Sequence, residues 1–407
     1  MKKILIVLLF VAFLLNVKGQ DAELERSALQ LNTITTAVPF LLIAPDSRAG
    51  AMGDVGVASS PDGNSMHWNV AKLAFVEKEA GVSISYSPWL RKLVPDINLS
   101  YVSGYKKLSE NNAIGASLRY FSLGNINFTD EQGSSIGQFN PAEFAFDVGY
   151  SQKFGERFAG GIAVRYIYSN LTGGINVGGG STQAGKSFAV DVGAYYTNPD
   201  AEIFGQDAIF SLGLNISNIG AKISYTDDAV KDFIPINMRL GQSLTFVMDD
   251  HNSFSFLTDF NKLLVPTPPI YATDDNGSPL PLDPITGEQP IEAGKNPDVP
   301  IVTGIFQSFG DAPGGFSEEL KEINISVGLE YWYNKQFAIR AGYFHEPAVK
   351  GNRRYITTGL GLKLSVFSID FSYLIPMTQQ NPLANTVRFS LMFDFDAFKS
   401  QNKDTSN

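Results

Sequence analysis

From Ala80 onward, large apolar residues alternate with small or polar ones. Val82, Ile84 and Tyr86 alternate with Ser83, Ser85 and Ser87. Phe144, Phe146, Val148 and Tyr150 alternate with Ala145, Asp147, Gly149 and Ser151. Phe210, Leu212, Leu214 and Ile216 alternate with Ser211, Gly213, Asn215 and Ser217. A period of two is the strand signature, because successive side chains point to opposite faces of a sheet. The pattern predicts fourteen strands, starting near residues 80, 96, 112, 142, 157, 186, 207, 235, 252, 322, 336, 353, 365 and 385. Most run ten to thirteen residues. An even number of strands of this length suits an all-β, antiparallel transmembrane barrel, whose strands need about 9–11 residues to cross at a tilt.

The two faces differ in chemistry. One carries Phe, Tyr, Ile, Leu and Val; the other carries Gly, Ser, Ala, Asn and isolated charges. On the second face fall Arg119, Arg165, Arg239, Arg340, Lys363 and Arg388, interleaved with Asp147, Asp191, Asp259, Glu330, Asp370 and Asp394. A charge facing mid-bilayer lipid costs roughly 2–4 kcal/mol. These twelve are therefore expected in the lumen, where opposite signs pair.

Connection lengths alternate. Lys106–Asn111, Phe154–Glu156, Met248–His251, Asn334–Lys335 and the junction near Ser365 are short, and Asn198–Gln206 is somewhat longer. Leu123–Pro141, Leu171–Gly185, Ile219–Ile234 and Leu264–Lys321 are long. Outer-membrane barrels have short periplasmic turns and long extracellular loops. The parity places the N- and C-termini in the periplasm.

The first residues change the picture further. Lys2 and Lys3 precede the apolar run Ile4–Leu15, and Gly19-Gln20 offers a small residue for cleavage. This reads as a secretory signal peptide over 1–19, too short in its apolar part to span a bilayer. Its removal takes three lysines and moves the net charge from −10 to −13. The chain has no cysteine, which rules out a lipid-anchored signal, a disulfide scaffold and a thiol nucleophile. An acidic chain without a basic cluster is a poor nucleic-acid binder. The three histidines, His67, His251 and His345, lie far apart in the chain. No zincin, nucleophile-elbow or P-loop motif occurs. Asp274-Asp-Asn-Gly277 lacks the spaced ligands of an EF-hand and reads as a turn. No enzyme activity, cofactor or metal is expected.

The segment before the first strand carries a motif. Arg48, Gly50, Gly53, Asp54 and Gly56 precede the turn Asn64-Ser-Met-His-Trp68-Asn69 and then Val70-Ala71. The glycine spacing lacks G-x-G and a strand–helix setting, so it is not a dinucleotide fingerprint. Close backbone packing inside a lumen explains it better. This stretch resembles the N-terminal hatch of the FadL-type outer-membrane family, with Val70 where that family has proline. More closely it resembles the PorV-type barrels, the FadL-like shuttles of the type IX secretion system of Bacteroidota. The run from Ala44 to Ala58 and the turn at 64–69 carry that likeness.

The resemblance implies a fourteen-stranded FadL-like barrel with an N-terminal hatch. It implies association with a Sov/SprA-type translocon barrel, binding of secreted cargo through a C-terminal signal domain, and delivery to a surface sortase/attachment complex. The rival function is a FadL-type channel for small hydrophobic molecules. The expected organisation is signal peptide 1–19, periplasmic segment and lumen hatch 20–79, and outer-membrane barrel 80–396. The connection 264–321 is extracellular, and 397–407 forms a polar periplasmic tail. Within that connection a helix is expected from Val299 to Phe309, with Val302, Ile305, Phe306 and Phe309 on one face and Phe316 and Leu320 continuing it. That face binds a partner or folds over the barrel's own mouth. Trp89 and Leu90, in the first outer loop, are expected to touch a partner or to anchor in outer-membrane lipid.

Overall fold

The computed structural model describes residues 31–90, 94, 96–129, 132–174, 182–226, 231–284, 287–378 and 381–395. The expected signal peptide and C-terminal tail lie outside these residues. Fourteen strands close into one antiparallel barrel. They are β1 Ala80–Pro88, β2 Asn98–Ser109, β3 Asn112–Ser122, β4 Ala142–Lys153 and β5 Phe158–Asn170. Next come β6 Gly185–Ile203, β7 Gln206–Gly220, β8 Asn237–Val247 and β9 Asn252–Leu263. The last are β10 Asn324–Tyr333, β11 Phe337–His345, β12 Arg354–Lys363, β13 Phe367–Pro376 and β14 Val387–Asp394. Every one begins within two residues of its expected start. β1 closes on β14, from Gly81 opposite Asp394 to Tyr86 opposite Phe389.

The alternation becomes inside and outside. Ile84, Tyr86, Leu118, Phe146, Val164 and Leu214 are exposed on the outer face, with like residues on the other strands. Such a continuous apolar belt is a lipid-facing surface, and it identifies the chain as an outer-membrane β-barrel. Six of the twelve expected lumen charges pair with one another. Arg119, Arg239, Arg388 and Asp259 turn instead to the segment before β1, and Lys363 and Asp394 lie at the short-turn end of their strands. Arg165 reaches Asp147 at 2.5 Å and Asp191 at 2.9 Å. Arg340 reaches Glu330 and Asp370, both at 2.6 Å. Asp147–Arg165 and Glu330–Arg340 are directly opposed cross-strand pairs.

Two further expectations change. The connection at 198–206 closes to the two-residue turn Phe204–Gly205, because β6 runs on to Ile203. Asn198-Pro199 reads as a turn in sequence, but the sheet absorbs it as a register shift between Asn198 and Ala201. The segment before β1 was expected at the short-turn end, yet its described part starts at the other end. Asn32 N donates to Val349 O at 3.1 Å and Ala37 N to Phe233 O at 2.9 Å, both in long connections. The chain then descends the lumen. It reaches the short-turn end where Lys107 N donates to Glu79 O at 2.7 Å. Strand parity fixes only where β1 begins, not the route that leads to it.

Candidate functional site

The site has two parts, a hatch that fills the lumen and a surface at the long-connection mouth. The hatch motif works as a set of bolts. Arg48 bridges Asp62 at 2.9 Å within the hatch and Glu330 on β10 at 2.8 Å. Asp54, at φ 62°, accepts from Arg388 on β14 and Tyr355 on β12, both at 2.6 Å. Gly53 N donates to Thr357 Oγ1 at 2.8 Å. Gly53 lies at φ 71°, and a Cβ there would press on the Tyr343 backbone. Gly56 donates its N–H to Asp259 at 2.8 Å, and a Cβ there would strike the Trp68 ring. Gly50 lies against Arg388 in the same way.

The second half of the motif is a folded turn. Trp68 Nε1 donates to Asp46 Oδ2 at 2.6 Å, and the Arg239 guanidinium lies over its ring at 5.0 Å. Asn69 accepts from Ala71 N at 3.1 Å, capping the 3₁₀ turn Val70–Phe75, and donates to Ala194 O on β6 at 2.9 Å. Asn64 is buried and takes its own N–H bond to Asp62 at 2.8 Å. Arg119 contacts His67 and donates to Leu41 O at 2.6 Å. Arg239 and Arg119, read from sequence only as lumen charges, thus hold hatch backbone and rings.

Sequence reasoning missed the receiving wall. Gly149, Gly161, Gly193, Gly213 and Gly241 sit on the consecutive strands β4 to β8, and Gly328, Gly342 and Gly359 on β10 to β12. A Cβ on Gly161 would meet Ala71, on Gly213 Val57, on Gly328 Met52 and on Gly359 Ala51. This belt lets the hatch backbone lie directly on strand backbone. Its sequence signal is glycine at lumen-facing mid-strand positions, which any barrel with a bulky plug would share.

At the mouth, the expected helix is two shorter ones, Ile301–Gln307 and Phe316–Lys321. Pro300 starts the first, and the Gly-rich, Pro-containing stretch 310–315 separates them. The first is apolar on both sides. Ile301 and Ile305 pack on the core cluster containing Phe40, Phe233 and Leu264, and Gly304 lies against the Phe233 ring. Ile305 therefore does not share the outward face assigned to it. Spacings 301/305 and 302/306 are separate ridges of one helix. Val302, Phe306 (74%), Phe309, Phe316 (77%) and Leu320 point outward and are exposed. Trp89 and Leu90 turn inward, half-buried against buried apolar clusters, with Arg388 over the Trp89 ring at 5.8 Å. They are neither lipid anchors nor part of the outward surface.

A buried ionic latch fixes this surface to the barrel. Lys262, near the end of β9, reaches Glu322 at 2.6 Å and Glu319 at 3.1 Å. Lys350, in a neighbouring connection, reaches Glu318 at 2.6 Å and Glu322 at 2.9 Å. Burial raises the Glu318 and Glu319 carboxyls, but hydrogen bonds from Lys350 and Gly314 N to Glu318, and from Ala312 N and Lys262 to Glu319, outweigh it and leave both below the ordinary glutamate range. Asp311 beside them moves the other way, pushed up by burial and by Glu319 and Glu322. For the two glutamates the folded value lies below the unfolded one. Their stabilisation is complete above about pH 4.3, the unperturbed glutamate value, and is lost as pH falls through the folded values. Asp311 offsets part of this. Acidification below about pH 4 is therefore expected to free the connection 264–323 before the barrel opens. Limited proteolysis at stepped pH, by an acid-active protease, measures it; a connection protected down to barrel unfolding refutes it.

A cavity of about 390 Å³ lies between latch and hatch, lined by Ile34, Leu42, Trp89, Glu322, Arg353 and Tyr355 among others. Asp54 and Ala44 of the hatch also line it.

A family model described as type IX secretion system protein PorV matches residues 26–270, more than half of the chain. The chain belongs to the PorV family. As a PorV-family member it is a type IX secretion component. No curated protein matches it. Among solved structures it is similar to the toluene transporter TodX of Pseudomonas putida, at TM-score 0.46 and 12% identity over 89% of this chain and 99% of that one. The toluene transporter TbuX of Ralstonia pickettii gives 0.43 and 10% over 86% and 96%. A FadL homologue of Pseudomonas aeruginosa gives 0.41 and 11% over 89% and 99%. The architecture rests on this chain's own strand pairing and not on those likenesses.

Proposed function

We propose that this PorV-family barrel is a non-enzymatic carrier. It binds secreted cargo through the cargo's C-terminal signal domain at a Sov/SprA-type translocon and passes it to the surface sortase/attachment complex. In this reading the short-turn end faces the periplasm and the long connections face outside. The observation that carries it is the apolar surface of Val302, Phe306, Phe309, Phe316 and Leu320, standing outward at the mouth. Monomeric proteins rarely leave such a patch in water, and patches of this kind serve protein contact. Cargo then travels on the barrel, not through it, since the lumen is filled by the hatch. The domain boundaries at 80 and 264–321 follow this division of labour.

The 390 Å³ cavity favours a second reading, a channel for small hydrophobic molecules. Against it, Glu322, Glu346, Lys350 and Arg353 line one side, and the hatch closes the way below. Co-purification of the tagged protein from native outer membranes, with mass spectrometry, tests both. A very large barrel and proteins sharing a C-terminal domain are expected. Recovery of the chain alone with lumenal lipid or fatty acid supports the channel and sinks the carrier.

A further inference from the structure

The short-turn end carries a feature that neither hatch nor mouth uses. β6 and β7 are the longest strands, at 19 and 15 residues. β5 pairs with β6 only as far as Tyr196, opposite Phe158, and β8 pairs with β7 only as far as Ala208, opposite Phe246. Past those rows the hairpin pairs with itself, Glu202 opposite Asp207 and Ile203 opposite Gln206. The residues of β6 from Asn198 to Ile203 overshoot β5 by up to about 20 Å of strand, while Gln206 and Asp207 of β7 overshoot β8 by about 7 Å, at ~3.3 Å per residue.

The tip is Phe204-Gly205, at φ 57° and 71°. Two positive φ values make a type I′ turn, for which Asn-Gly is the favoured pair. Phenylalanine in a left-handed conformation costs roughly 1–2 kcal/mol, and this one is 85% exposed. The turn itself gains nothing from it. The flanking turns also present a large apolar residue each, exposed Phe154 and Met248. Arg157 in the first of them reaches Asp200 in the hairpin at 3.4 Å, so the turns are neighbours.

Charge is divided around this rim. The three hairpin ends between β4 and β9, turns and adjoining strand residues together, hold Glu156, Asp200, Glu202, Asp207, Asp249 and Asp250 against Lys153 and Arg157. Asp249 is held below the usual carboxylate range by the Asn252 side chain and the His251 N–H, so it is ionised at neutral pH. The rest of the rim lacks that acidic excess, with Lys78, Lys106, Lys107, Lys335 and Lys363 against Glu77, Glu79, Glu110 and Asp394.

We propose that these three turns form a docking face for a basic protein on the short-turn side of the membrane, with Phe204 as its apolar anchor. Acidic groups around an exposed aromatic complement a cationic surface and disfavour anionic lipid. Projection past the neighbouring strand ends puts Phe204 beyond the lipid-facing belt.

The test is photocrosslinking in intact cells with p-benzoylphenylalanine at position 204 of the full chain. The expected result is an adduct to a protein of net positive charge. Its yield should fall at least ten-fold in Asp200→Lys/Glu202→Lys/Asp207→Lys and stay unchanged in Lys335→Glu on the opposite rim. Heat-modifiable gel migration checks that each barrel is folded. Adducts to lipid only, no adduct, an acidic partner, or a yield indifferent to the triple reversal each overturn the proposal.

Discussion

Replacing Val302 and Phe306 with aspartate is expected to remove translocon and cargo from the co-purified complex while leaving a folded barrel. Both side chains point away from the mouth, and their helix is held from its other side by Ile301, Gly304 and Ile305. The substitutions therefore delete surface, not core. A buried aromatic anchor at an interface is typically worth about 2 kcal/mol or more, near 30-fold in affinity. A charge in its place adds the cost of desolvating a carboxylate. Val302 and Phe306 are neighbours one turn apart, so their effects overlap and the double variant should lose about 30-fold or more. Ile305→Asp is the instructive contrast. It puts a charge on the inward ridge against the Phe233 and Leu264 cluster and should loosen the mouth connection itself. Quantitative recovery of partners with Val302→Asp/Phe306→Asp would take this surface out of the mechanism. Proteolytic release of the connection by Ile305→Asp alone would show that the two ridges do different jobs.

The strands were legible because lipid outside and a crowded lumen inside enforce a strict two-residue alternation along every crossing. Tyr86 between Ser85 and Ser87, or Phe146 between Ala145 and Asp147, has only one admissible direction. The hatch motif was legible as a motif but not as a mechanism. Gly53 and Asp54 announce an unusual backbone, yet their partners Thr357, Tyr355 and Arg388 lie some three hundred residues away. Only the closed barrel brings them within reach. The mouth helix failed in sequence for a local reason. A seven-residue helix with apolar residues at 301, 302, 305 and 306 has two candidate faces, and periodicity cannot say which one the barrel takes. The overshooting hairpin failed for another. Asn198-Pro199 has turn chemistry, and nothing local reveals that the sheet passes through it with a register shift.

Substituting Gly342 with leucine is expected to unseat the hatch and open the lumen. A Cβ at Gly342 would collide with Met52 and the Gly53 nitrogen. Those atoms cannot retreat. Gly53 N is bonded to Thr357 Oγ1 at 2.8 Å, and the same hydroxyl donates to Ala51 O at 2.9 Å. In an ordinary core, overpacking by a few methylenes costs about 1–3 kcal/mol because side chains shift. Here backbone faces backbone, so relief comes only by lifting the loop from Ala51 to Gly56. That movement strains the Asp54 bonds to Arg388 and Tyr355 and the Asp259 bond to Gly56 N. The expected readout is swelling of proteoliposomes in small sugars, near the empty-vesicle rate for the unmodified chain and several-fold faster for Gly342→Leu. Gly155→Leu, in a short turn with no atom near the new side chain, should match the unmodified chain. A sealed Gly342→Leu barrel would mean that the wall, not the hatch, gives way. An unmodified chain that already swells would mean that the close-packed glycine belt does not shut the pore. Either result breaks the link between glycine at lumen positions and transport on the barrel's surface rather than through its lumen.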